Sequence, residues 1–87
     1  MGFGIMARVE VSAEEAIRWF EEVYKEEIAL GDRSLKRIVF MTAEGAKVYT
    51  PAQLLEEMRK GTPIGLKNIE IIREYLKWKR EREVVQK

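Results

Sequence analysis

Residues 62–82 read TPIGLKNIEIIREYLKWKRER. Thr62 supplies a cap and Pro63 suits a first helical position, so the stretch predicts a long helix from about 64 to 82. Counted at 100° per residue from Leu66, the apolar side chains separate into two stripes. Leu66, Ile69, Ile72 and Leu76 fall on one side, and Ile64, Ile71, Tyr75 and Trp78 fall on another, about 140° away. A small domain can bury one such stripe in its own core. The second needs another occupant: a further chain, a nucleic acid, or another part of the fold.

Working back along the chain, Thr50-Pro51-Ala52-Gln53 is a strong helix start. Thr50 caps, Pro51 takes the first position, Gln53 completes a capping box, and Tyr49 and Leu54 are placed for a hydrophobic staple. A short helix over 51–60 follows, with Leu54, Leu55 and Met58 inward and Gly61 as its stop. Before it, Leu35 to Thr42 carries Ile38, Val39, Phe40 and Met41, a run apolar on both faces that predicts a central or doubly covered strand. Glu44-Gly45 marks a turn, and Lys47 to Tyr49 returns as the second strand of a hairpin.

Ser12 and Glu15 form another capping box ahead of Ala13, Ile17, Phe20, Tyr24 and Ile28, which predicts a helix over 13–30 stopped by Gly31. Glu14 to Arg18 and Glu21 to Lys25 are spaced for ion pairs on its solvent side. Upstream, Phe3, Ile5, Ala7, Val9 and Val11 alternate with Gly4, Met6, Arg8 and Glu10, the period of a half-buried strand over 4–11. The expected architecture is therefore an α+β fold: a single β-α-β-β-α-α domain over 1–87, its three-stranded sheet packed by helices, with residues 1–3 and 84–87 disordered.

Composition narrows the chemistry. The 87 residues include no cysteine and no histidine, and Asp32 is the only aspartate. Thiolate metal sites, disulfides, histidine bases, EF-hand loops and paired aspartates are all excluded on those grounds. The expectation is a chain that is no enzyme and that has no cofactor, no metal and no small-molecule substrate. Gly61-Thr62-Pro63-Ile64-Gly65 matches no phosphate-binding fingerprint and reads as a structural corner. Glu27 falls among the apolar positions of the first helix and is expected in a last turn that reaches solvent or Arg33. No run of about 18 apolar residues predicts a membrane span, and the opening lacks a basic region before its apolar residues. A cytoplasmic protein is expected. The many Glu, Lys and Arg residues and few amides resemble proteins from hot environments.

The net charge of +1 hides an asymmetry: residues 1–58 hold 7 basic and 11 acidic side chains, residues 59–87 hold 9 basic and 4 acidic. The acidic first helix and the basic last helix are expected to lie together. Lys77, Lys79, Arg80 and Arg82 beside Tyr75 and Trp78 also suit nucleic acid, through phosphate neutralisation and stacking. Glu70, Glu74, Glu81 and Glu83 interrupt that field. Over about its first 30 residues, a strand followed by a capped helix, the chain resembles the ribbon-helix-helix DNA-binding family. That resemblance implies a ribbon paired between two chains, with Met6, Arg8 and Glu10 facing the major groove. It departs from the family after that, since Leu35 to Tyr49 predicts a hairpin where the family has its second helix.

The favoured expectation is a protein-interaction or structural module working as a homo-oligomer, most simply a dimer, through Ile71, Tyr75, Trp78 and Arg82. The alternative is a nucleic-acid-binding regulator that uses Lys77, Lys79, Arg80 and Arg82.

Overall fold

The computed structural model describes residues 10–85. Two helices, α1 (Ala13–Val23) and α2 (Lys25–Leu30), lead through a short 3-10 turn at Gly31–Arg33 into strand β1 (Ile38–Thr42). Strand β2 (Gly45–Tyr49) then precedes α3 (Pro51–Lys60) and the 23-residue α4 (Pro63–Val85). The mixed helix-and-strand class expected from the sequence is present. The strand expected over 4–11 lies outside the described residues except for Glu10 and Val11, which belong to no strand. Among the described residues the sheet has two strands, not three, paired antiparallel with Ile38 opposite Tyr49 and Thr42 opposite Gly45. The expectations of disorder for 1–3, 86 and 87 also lie outside the described residues, while 84 and 85 continue α4.

Local signals set most of the boundaries. The Ser12 hydroxyl accepts from the Glu15 amide at 3.0 Å at the start of α1. At α3 the capping box is reciprocal: the Gln53 amide donates to Thr50 Oγ1, and the Thr50 amide donates to Gln53 Oε1. Gly61 ends α3 in the left-handed conformation at φ 74°, where a Cβ would be strained. The expected single helix over 13–30 is instead broken at Tyr24, whose φ and ψ of −108° and 27° leave the helical region. No proline or glycine marks that break. The Tyr24 ring packs 4.7 Å from Phe20, with the Lys36 ammonium 5.6 Å from its centre, so tertiary contacts hold it.

The core lies between the helices. Ala16 and Phe20 of α1, Leu54, Leu55 and Met58 of α3, and Ile69, Ile72 and Leu76 of α4 are buried together with Val11. Ile38, Phe40 and Tyr49 pack against this cluster from one face of the hairpin. The other face, formed by Val39, Met41, Ala46 and Val48, is exposed. The run Ile38–Met41 is thus covered once and not twice. Alternation in a strand assigns faces regardless of how apolar each is, and a two-stranded ribbon meets the helices on only one of them.

Gly65 governs how α4 meets α3. A Cβ there would overlap the Glu57 carbonyl and the Met58 amide of α3. Thr62 completes the corner, accepting from the Gly65 amide at 3.1 Å and donating to Glu57 Oε1 at 2.6 Å. Gly65 lies at about 260° on the same count, in the middle of a buried face that includes Asn68, Ile69, Ile72 and Leu76. Leu66, expected inside, stands about 100° from that centre and is 55% exposed. Replacing Gly65 by alanine is expected to lower the unfolding free energy by about 2 kcal/mol or more in urea denaturation. Leu66→Ala should change it by less than about 0.5 kcal/mol. An unchanged midpoint for Gly65→Ala would contradict the close approach of the two helices.

Candidate functional site

The roll of α4 that buries Ile72 turns its second stripe outward. Ile71 is 49%, Tyr75 43% and Trp78 53% exposed, and Ile64 alone of that stripe packs against the core. Neighbouring side chains hold these rings in place. Trp19 of α1 lies with its ring centre 5.7 Å from Tyr75, and Tyr75 lies 6.3 Å from Trp78. The Arg82 guanidinium carbon sits 4.9 Å from the Trp78 ring centre, within the range of a cation–π contact. Three aromatic rings and one guanidinium thus form a continuous row across α1 and α4.

Beside the row runs an apolar groove of about 340 Å³ lined by Trp19, Phe20, Tyr24, Ile71, Ile72 and Tyr75. Phe20 and Ile72 are its buried members. Tyr24, set by the break between α1 and α2, contributes the far wall. Sequence reasoning placed Ile71, Tyr75, Trp78 and Arg82 on this surface but left out Trp19. The available signal was its spacing: Trp19 and Val23 are four residues apart on one edge of the apolar side of α1.

The basic side chains of α4 take separate routes. Arg80 forms an ion pair with Glu15 of α1, and Arg59 of α3 forms one with Glu21. Arg73 Nε donates to the Val11 carbonyl at 2.6 Å. The acidic and basic parts of the chain therefore meet inside one copy, with Glu21 reaching Arg59 across helices. Lys77 lines a polar cleft of about 150 Å³ with Glu10, Val11, Glu70, Arg73 and Glu74, and Lys79 is exposed. Of the four residues considered for nucleic acid, Arg80 is paired with an acid and Arg82 is stacked on an indole. Lys77 stands among carboxylates.

The remaining candidates are structural where the described residues show them. Gly61 to Gly65 forms the corner between α3 and α4, with the Gly65 amide already bonded to Thr62. Glu27 is half-buried, and its carbonyl accepts from the Gly31 amide at the end of α2. Among the described residues no three His, Cys, Asp or Glu side chains are grouped as a metal site requires. No helix among them is long and apolar enough to cross a membrane. The hairpin stands where the ribbon-helix-helix pattern has its second helix, and residues 6 and 8 of the implied ribbon lie outside the described residues. No protein family, curated protein or solved structure matches the chain.

The two stripes of α4 differ in what they do for a single copy. Ile72→Ala is expected to cost about 2–5 kcal/mol by opening a cavity in the core. Trp78→Ala should cost less than about 0.5 kcal/mol at low concentration. Chemical denaturation of both variants at low concentration checks the difference, and equal losses would mean that Trp78 belongs to the core.

Proposed function

We propose that this chain is a non-enzymatic protein-interaction module that works as a symmetric homo-oligomer, a dimer in its simplest form. The surface that carries the contact is Ile71, Tyr75, Trp78 and Arg82 of α4, extended by Trp19 of α1. The observation behind this reading is the ordered row of half-exposed aromatic rings beside an apolar groove. Tyr, Trp and Arg are the side chains enriched at the energetic centres of protein interfaces, because they bury large areas at low entropic cost and keep a polar end. A small chain also gains by association, since 87 residues bury a modest share of the surface of the unfolded chain.

Nucleic-acid binding through Lys77, Lys79, Arg80 and Arg82 is the weaker reading. The Glu15–Arg80 pair neutralises one of those cations, and Glu70, Glu74, Glu81 and Glu83 lie on the same helix. A surface that tracks phosphates gains its affinity by releasing counterions from uncompensated cations.

Sedimentation equilibrium at tens of micromolar is expected to give about twice the 10.2 kDa chain mass. Trp78→Ala should raise the dissociation constant by roughly tenfold or more, as loss of an interfacial hot spot does. A chain that stays monomeric at that concentration, with Trp78→Ala indistinguishable from it, would overturn the proposal. A salt-sensitive complex with duplex or single-stranded nucleic acid in a gel-shift assay would favour the second reading instead.

A further inference from the structure

The charge order along α4 specifies how a second copy would lie on it. Lys67, Glu70, Glu74, Lys77 and Glu81 are all exposed, and they occupy one flank of the helix, at about 20–100° on the count that places Ile71, Tyr75 and Trp78 at about 120–180°. Read from the N-terminus, their charges run plus, minus, minus, plus, minus. Laid against the same helix in the opposite direction about a centre at Glu74, each outer charge meets its opposite. Lys67 faces Glu81 and Glu70 falls within one residue of Lys77, each pair occurring twice, and only Glu74 faces its own copy. Laid in the same direction about a two-fold axis along the helices, this flank would lie on opposite sides of the seam in the two copies, and the five charges would find none of these partners.

Resting on the self-association reading above, we infer that the partner on this surface is a second copy of the chain with its α4 antiparallel to the first, crossing at Glu74 and Tyr75. A two-fold axis perpendicular to two antiparallel helices keeps each flank against the same flank of the other copy, so the charges that match in sequence also meet in space. In the same register Ile71 and Trp78 stand within one residue of facing each other across the axis, and the two Tyr75 rings meet near it. Ile64, Ile71 and Trp78 recur every seven residues, the spacing that keeps one seam of a helix on its neighbour over several turns. The helix needs such a neighbour: beyond Leu76 none of residues 77–83 is buried, and helix without packing is marginal in water.

The absence of cysteine makes the arrangement directly readable. Three variants, Lys67→Cys, Glu74→Cys and Glu81→Cys, each change an exposed side chain and leave the core untouched. Treated with a short bis-maleimide at tens of micromolar, Glu74→Cys is expected to cross-link to itself. Lys67→Cys and Glu81→Cys should not do so alone, because each lies about 21 Å from its own copy along the axis, but an equal mixture of the two should cross-link. A parallel pair would place these three positions on opposite sides of the seam, and the short linker should then join neither Glu74→Cys to itself nor the mixture of the other two. A dimer by sedimentation in which Glu74→Cys fails to cross-link overturns the antiparallel register and leaves self-association standing. A monomer by sedimentation overturns both.

Charge exchange gives an independent reading. Lys67→Glu is expected to weaken the dimer roughly fivefold, by losing two flanking pairs at a few tenths of a kcal/mol each and adding repulsion. Lys67→Glu combined with Glu81→Lys should restore it, and Glu74→Gln should tighten it by relieving the like charges at the axis. If the double variant is weaker than Lys67→Glu alone, the two residues do not face each other and the register is wrong.

Discussion

Where the backbone of α4 passes the last turn of α3, the two helices come so close that only a glycine fits, and that contact at Gly65 sets the roll of the long helix. The face centred on Gly65 turns inward and carries Asn68, Ile69, Ile72 and Leu76 against Leu54, Leu55 and Met58. Everything about 100° away turns outward. Leu66 leaves the core on one side, and Ile71, Tyr75 and Trp78 remain in solvent on the other. The exposed row of rings is therefore a consequence of steric fit at the corner, since no rotation of α4 buries both stripes while Gly65 stays against Glu57.

The corner is held by short-range chemistry. Thr62 Oγ1 accepts from the Gly65 amide and donates to the Glu57 carboxylate, so one hydroxyl caps α4 and ties it to α3. Gly61 supplies the left-handed residue between the helices. Farther along, Arg73 on the Val11 carbonyl and Arg80 on Glu15 fasten α1 across α4. These contacts are partly exposed and each adds little stability, but together they fix the crossing that brings Trp19 beside Tyr75. The aromatic row is assembled by the same packing that exposes it.

Much of this was legible in the sequence, and the illegible parts share one character. The capping box at Thr50 and Gln53, the stop at Gly61, the start at Thr62-Pro63 and the inward Leu54, Leu55 and Met58 are all local signals and all hold. So does the exposure of Ile71, Tyr75 and Trp78. The break at Tyr24 escapes a sequence reading because no breaker residue marks it, while core packing and the Lys36 ammonium hold the Tyr24 ring. Leu66 was assigned inward because angular counting gives relative positions on a helix without giving the roll, which Gly65 decides through a backbone contact. Trp19 was missed because its role depends on Tyr75, a partner 56 positions away. The strand over 35–42 reads as central or doubly covered because apolar content says nothing about what lies over its second face.

A helix whose last turns bury no side chain in a core exchanges its amide hydrogens quickly unless something covers them. Hydrogen–deuterium exchange of residues 77–83, followed from sub-micromolar to hundreds of micromolar chain, therefore shows whether a second copy covers this surface. Slow exchange is expected to appear as concentration rises and to be abolished by Trp78→Ala, while the buried turns around Ile69 and Ile72 stay protected throughout. Fast exchange in residues 77–83 at every concentration would contradict self-association through this surface.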